Sequence, residues 1–367
     1  MKLRFLGQRN HLGGGTHFSN FVDAVKAIYG VGDLVEEVDL VNPAHVDAAA
    51  KSGTDADVNV WFWPDKRIHR FKGTHIVWAI FESEKLPASF IESLGRAHGV
   101  WVPTLWGRGI LVDNGVPAER IEVVPEGVDA RLFHPYLRNT QDRTDQPFRF
   151  LMIGKFEKRK GYGDLLAAFK HAFGQSRSVE LAIKADYFID GSRRKPELAD
   201  LVDSHGLSNV KLYWGDWPRE RLFGLYNYCD AFVFPSRAEG WGMPLLEAAA
   251  AGLPLVATRY SGQTEFLEYL DSSLVPIEYT MERIVDDDFS RFWPAENNDL
   301  GRWAQPSIAS IAAGMQKLLD QYATYREAAR SNSLIVREKF SWDVAANTAV
   351  ELLCRKNLLK ADYTVVG

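Results

Sequence analysis

Short apolar runs alternate with helix-like segments from Phe148 onward, and that alternation leaves the chain few folds to choose from. Phe148–Ile153 is the first run. Asp164 is placed to cap a helix carrying Leu165, Leu166, Phe169, Ala172 and Phe173, which Gly174 closes. Val179–Ile183 reads as the next strand, and a helix follows it through Leu201. Val210–Tyr213, Arg221–Tyr228, Ala231–Phe234, Pro244–Ala251 and Leu255–Ala257 continue the series. Strands that are apolar throughout, separated by helices, belong to a parallel sheet covered on both faces. The expectation is a doubly wound domain with its ligand at the carboxyl ends of the strands.

The first 135 residues repeat the pattern more loosely. Leu3–Leu6, Val58–Phe62, Ile76–Phe81, Gly99–Val102 and Ile121–Val124 read as strands, Thr16–Ile28 and Ala88–Ala97 as helices. Residues 136–147 are polar and aperiodic, as a linker would be. A chain of 367 residues is long for one core. The expected division is therefore an N-terminal domain over 1–137 and a C-terminal domain over 146–342. Ile308–Tyr325 and Trp342–Lys356 read as late helices.

The formal net charge of −5 argues against nucleic acid as the main partner. Two cysteines, Cys229 and Cys354, cannot build a disulfide scaffold and suit a reducing compartment. Met1–Gly7 is too soon interrupted to be a signal peptide, and no apolar run reaches the roughly 18 residues of a membrane span. A cytoplasmic protein is expected.

Glu239-Gly-Trp-Gly-Met-Pro-Leu-Leu-Glu247 sets two carboxylates around a loop that opens a helix. Gly240 and Gly242 let backbone N–H groups approach a ligand, and Pro244 suits the first helical turn. Such a helix mouth attracts anions, and a carboxylate on each side accepts hydrogen bonds from hydroxyls. An anion joined to hydroxyls is the chemistry of a sugar linked to a nucleoside diphosphate. Lys155, Lys158, Arg159 and Lys160 supply positive charge on a strand-to-helix loop.

Glu239 and Glu247 resemble the E-x7-E motif of retaining glycosyltransferases with the two-domain GT-B fold, most closely those of family four. Phe232-Val-Phe-Pro-Ser236, Ala251-Gly-Leu-Pro-Leu-Val-Ala257, Gly154-Lys-Phe-Glu-Lys-Arg-Lys-Gly161 and Val124-Pro-Glu-Gly-Val-Asp129 with Phe133 also resemble that family. The likeness is dense over about residues 100–270. It implies two Rossmann-like domains facing a cleft, with a last helix over about 343–367 crossing back onto the first.

It further implies a donor site built from Gly14, Gly15, Lys155, Lys160, Glu239, Gly240, Trp241, Gly242, Met243, Pro244 and Glu247. In that family Glu247 would bind the ribose, Glu239 would face the reacting carbon, and Lys160 and Lys155 would stabilise the leaving diphosphate. Lys155 stands where the family more often has arginine, which keeps the charge and loses the bidentate fork. The expected co-substrate is a UDP- or GDP-linked sugar, with no other cofactor and no metal. The acceptor is a glycan, a lipid-linked sugar or a small molecule, and a peripheral contact at the inner membrane face stays open.

Leu12-Gly-Gly-Gly-Thr-His17 reads as a loop that closes on a phosphate or sugar and is not a dinucleotide fingerprint. His17, Phe81 and Glu82 are assigned to the acceptor side. Phe81–Pro87 resembles one subgroup of the family, whereas many members carry His-Asp there. His75 reads as structural. Trp61–Lys72 interleaves aromatic and basic residues, suited either to a core strand with a solvated loop or to sugar stacking, with the basic run meeting an anionic acceptor or lipid headgroup. Asp55-Ala-Asp57 lacks a companion motif and is expected to hold no metal. A nucleotide-sugar epimerase or phosphorylase of the same fold, and a catalytically silent nucleotide-sugar binder, are the alternatives.

Overall fold

Strands whose residues are buried on both faces gather into two parallel sheets, as continuous apolar runs require. The computed structural model describes residues 2–10, 13–29, 35–135, 146–186, 195–295, 297 and 299–359. The chain divides into two compact units. Met1–Gly127, Asp287–Gly301 and Lys339–Gly367 make the first; Val128–Asp286 and Arg302–Glu338 make the second. Residues 136–145 of the expected linker, 360–367 of the expected last helix, and Leu12 of the glycine stretch lie outside the described residues. No helix among the described residues is long and apolar enough to cross a membrane.

The first unit holds β1 (Leu3–Gly7), β2 (Val35–Asp39), β3 (Val58–Trp61), β4 (Thr74–Trp78), β5 (Gly99–Val102) and β6 (Ile121–Val123). They lie side by side as β2-β1-β3-β4-β5-β6, every pair parallel. Strand order reverses between β1 and β3, which opens a crevice at their carboxyl ends. Helix Trp342–Arg355 packs on helix Gly13–Tyr29, where Tyr29 Oη donates to Asn347 Oδ1 at 2.8 Å. The second Asp of Asp55-Ala-Asp57 is fully engaged. Asp57 accepts from the Lys2 and Thr54 amides, each at 2.8 Å, and from buried Arg4 at 2.5 Å. Burial would raise its pKa, but these donors hold it well below the usual carboxylate range.

The second unit holds β7 (Phe148–Lys155), β8 (Val179–Asp186), β9 (Val210–Trp214), β10 (Ala231–Phe234), β11 (Leu255–Thr258) and β12 (Leu274–Ile277). Their order is β12-β11-β10-β7-β8-β9, again all parallel. An antiparallel ribbon of β13 (Tyr279–Arg283) and β14 (Arg302–Pro306) is added. Phe150, Met152, Leu181, Ile183 and Val233 from the sheet bury against Leu165, Phe169, Ile311 and Met315 from helices Tyr162–Phe173 and Ile308–Asp320. Each such side chain contributes about 1.5–3 kcal/mol. Order reverses between β7 and β10, so this sheet's crevice lies where the loops after Lys155 and Phe234 meet.

Several elements differ from expectation. The strand read as Ile76–Phe81 stops at Trp78 because the chain turns Phe81 inward against Phe90 and Trp106. Helix Tyr162–Phe173 is not capped by Asp164. Gly161 precedes it at φ +77°, and a Cβ there would lie 2.5 Å from the Pro235 carbonyl. Ile308–Tyr325 is two helices, broken at Gln321 before Tyr322–Lys339. The glycines Gly13–Gly15 form the first turn of the helix, not a loop ahead of it.

Candidate active site

The loops after β7 and β10 bring together residues that lie 79 positions apart in the chain. Lys158–Lys160 is a single tight turn closed by Gly161. It aims the Lys160 ammonium at Glu239, 2.7 Å from Oε1 and 2.9 Å from Oε2. Arg159 Nη1 stands 3.0 Å from Glu239 Oε2 and also donates to the Ala238 carbonyl at 2.5 Å. Ser236 Oγ donates to Glu239 Oε1. The Glu239 amide donates to Ser261 Oγ at 2.8 Å.

All of this is buried, with Lys160 5% and Glu239 4% exposed. Burial would raise the Glu239 pKa, but Lys160 and Arg159 outweigh it and hold the carboxyl at about 2. Burial pulls the Lys160 ammonium down, with Glu239 opposing. Lys155, at the end of β7, keeps apart from this cluster. Its ammonium is 4.0 Å from Glu157 and 30% exposed, accessible to a ligand.

Arg237 fastens the same turn. Its Nη1 donates to the Lys158 carbonyl and its Nη2 to Asp164. Its Nε donates to Gln305 on β14 at 2.9 Å, and its amide to the Arg159 carbonyl at 2.8 Å. A planar fork with five donors suits this task better than an ammonium. Arg237→Ala should weaken binding of a nucleoside diphosphate about tenfold by loosening the turn, the loss of roughly one charged hydrogen bond's worth of order. Arg237→Lys should recover only part. Titration calorimetry with UDP and GDP checks this, and unchanged affinity in Arg237→Ala counts against the role.

Gly242, at φ +96°, leads into helix Met243–Ala250, whose first turn carries Pro244 and no side-chain cap. Gly240 is buried, and Met243 and Pro244 are half-buried at the mouth. Trp241 stands beside Gly240 in the same loop. Its indole is 2% exposed and packs edge-on against Phe266, so it anchors the loop.

Glu247, in the second turn, is equally buried but has other partners. Tyr226 Oη donates to its Oε2 at 2.9 Å, and Arg219 stands 3.7 Å from Oε1. Phe133 supports both, its ring 5.3 Å below the Arg219 guanidinium and 5.5 Å from the Tyr226 ring. Burial raises the Glu247 pKa, only partly offset by Arg219 and Tyr226. The two carboxylates are thus driven in opposite directions, one firmly ionised and one poised higher. Arg219, Tyr226 and Arg237 were not singled out in the sequence, and Ser236 entered only as the end of the segment Phe232–Ser236. Only the basic run foreshadowed Arg159.

The first unit holds the remaining expected residues. His17 is 1% exposed and enclosed by Trp78 at 4.3 Å, Phe62 at 5.0 Å and Trp342 at 5.5 Å between ring centres. It is core and does not face an acceptor. Phe81 is likewise core, and Glu82 is half-buried. Space is open over Gly14, whereas a side chain at Gly15 would collide with Asn10. His75 accepts from Trp61 Nε1 at 3.4 Å and lies 3.1 Å from the Phe71 carbonyl, a structural setting.

The family profile of glycosyl transferases group 1 matches residues 136–287. D-inositol 3-phosphate glycosyltransferase of Segniliparus rotundus is 26% identical over 327 residues, 86% of this chain and 62% of that protein. The chain spans less than two thirds of the length of the curated relatives it matches. Among solved structures, Anabaena HepE in complex with UDP and glucose superposes with a TM-score of 0.72 at 15% identity, covering 97% of this chain and all of that one. Sucrose-phosphate synthase from Thermosynechococcus elongatus matches with a TM-score of 0.72 at 15% identity, covering 97% of this chain and 99% of the other. The chain has the fold and the signature segment of the GT-B glycosyltransferases, and among them it resembles family four.

Proposed function

We propose that this protein is a retaining glycosyltransferase that moves a sugar from a nucleoside-diphospho-sugar to an acceptor hydroxyl. The supporting observation is the buried Lys160–Glu239–Arg159 cluster at the crevice of the second sheet, beside an uncapped helix mouth. The diphosphate would take charge from Lys155 and Lys160 and from the amides at Gly240–Pro244. Glu247, held by Tyr226 and Arg219, would accept from the ribose diol. Glu239 would stabilise positive charge growing at the anomeric carbon.

The bond from that carbon to the diphosphate oxygen breaks, the acceptor oxygen bonds to the same face, and the acceptor proton passes to the departing phosphate. The lysines supply the countercharge, so the reaction proceeds without a metal. The nucleoside is uridine, as in the UDP complex of the Anabaena protein, or guanosine. The acceptor is a glycan, a lipid-linked sugar or a small molecule. We place the protein in the cytoplasm, since Cys229 and Cys354 are both free thiols.

A thermal-shift panel of UDP- and GDP-sugars identifies the donor, because a ligand that binds only the folded chain raises Tm. Lys160→Ala should then weaken that donor by roughly 1.5–3 kcal/mol, the range for a hydrogen bond to a charged group. Unchanged affinity in calorimetry would refute the assignment.

A further inference from the structure

The crevice of the first sheet lies between β1 and β3, and the loop that leaves β3 there turns two aromatic residues opposite ways. Phe62 points into the core against His17 and Phe18. Trp63 points out and is 46% exposed. Its ring leans on Phe90 at 5.6 Å and Trp293 at 6.3 Å, and those two pack on each other at 4.8 Å. Trp293 is only 8% exposed and is oriented by its indole N–H, which donates to the Lys85 carbonyl at 3.1 Å. Trp63 is thus a rigidly backed ring, and among the described residues nothing accepts its own N–H.

We propose that Trp63 is a stacking platform for the saccharide portion of the acceptor. This rests on the transferase reading above and adds to it the class of acceptor and the residue that grips it. A sugar presents one face of C–H groups, which suits an indole face, and a rim of hydroxyls that can take the free indole N–H. The surroundings favour a neutral polyol. Asp65, two residues beyond Trp63, is taken by Arg67 at 2.6 Å, so the charges that follow the ring in the chain are of both signs. A surface that docks on an anionic bilayer is basic instead. The position also fits, because ligands of open parallel sheets gather where strand order reverses. The two aromatic side chains expected on the acceptor side, His17 and Phe81, are enclosed, whereas Trp63 is an exposed ring among the described residues of the loop after β3.

The test applies the fluorescently labelled full chain to an array of defined mono- to tetrasaccharides, with the donor panel run in parallel as a thermal shift. Wild type should label a subset of saccharides. Trp63→Ala should lose at least tenfold of that signal, Trp63→Phe should retain most of it, and the donor shift should be the same in all three. Equal labelling by Trp63→Ala overturns the proposal. So does a wild type that labels no saccharide while keeping its donor shift, or one that instead adsorbs to phosphatidylglycerol vesicles in a Trp63-dependent way. Absence of any donor shift in wild type would remove the transferase reading itself.

Discussion

Glu239→Gln should lower turnover by about 10²–10³-fold, the cost of removing one preorganised charge from a developing transition state. Donor affinity should change far less. Gln keeps the shape and can still meet Ser236, so the substitution isolates the charge. The measurement is release of nucleoside diphosphate at saturating acceptor, split into kcat and donor KM. An equal loss in both would make Glu239 a ground-state binder only.

A second readout is stability. Lys160 and Arg159 would face each other without their common anion, and breaking one partner of a buried pair costs about 3–5 kcal/mol. With its folded pKa depressed to about 2, Glu239 contributes stability above its unfolded value near 4.5. That contribution is lost as pH falls toward 2. The Gln variant should therefore be less stable than wild type at neutral pH and should converge on it in acid.

His17 should contribute strongly to the mild-acid behaviour of the first unit. Burial among aromatic rings lowers its pKa from 6.5 to about 3, so the folded chain holds it neutral while the unfolded chain protonates it. Stability from this group is complete above pH 6.5 and is lost as pH falls toward 3, up to roughly 5 kcal/mol in all. His17→Leu should flatten the fall between pH 6.5 and 4.5, where Glu239 does not yet titrate. Urea unfolding of both proteins at pH 7, 5.5 and about 4.5 measures it. Parallel curves would mean that the imidazole is hydrated and free to charge.

Local pattern explains which parts of the fold could be read beforehand. β5 and β10 have the bounds that the sequence suggests, because each is a short run apolar at nearly every position. β2 escaped notice, since Val35-Glu36-Glu37-Val38-Asp39 offers only two apolar residues. Its two glutamates are taken by Lys2 and Arg4, and by Arg9 and Lys26, all supplied from outside the strand. The β13–β14 ribbon carries no alternation and joins segments far apart in the chain.

The same distinction runs through the candidate site. The acidic pair and the lysine turn were legible because glycines and proline mark their loops. Their partners were not, because Tyr226 and Arg219 reach Glu247 from another helix and Arg237 reaches Asp164 across 73 positions. His17 misled for another reason. A residue suited to touching a sugar is equally suited to filling a core, and only the packing decides between them.

The hydrogen bond between Tyr29 and Asn347 spans 318 positions, and the Gly127 Cα sits where any side chain would strike the Trp342 backbone. On the ribosome, then, the half translated first is the half finished last. Its helix Gly13–Tyr29 must keep an apolar flank uncovered until Trp342–Arg355 emerges, while the second unit already has nearly all its sequence. Chaperone demand during synthesis should fall on the amino-terminal sheet.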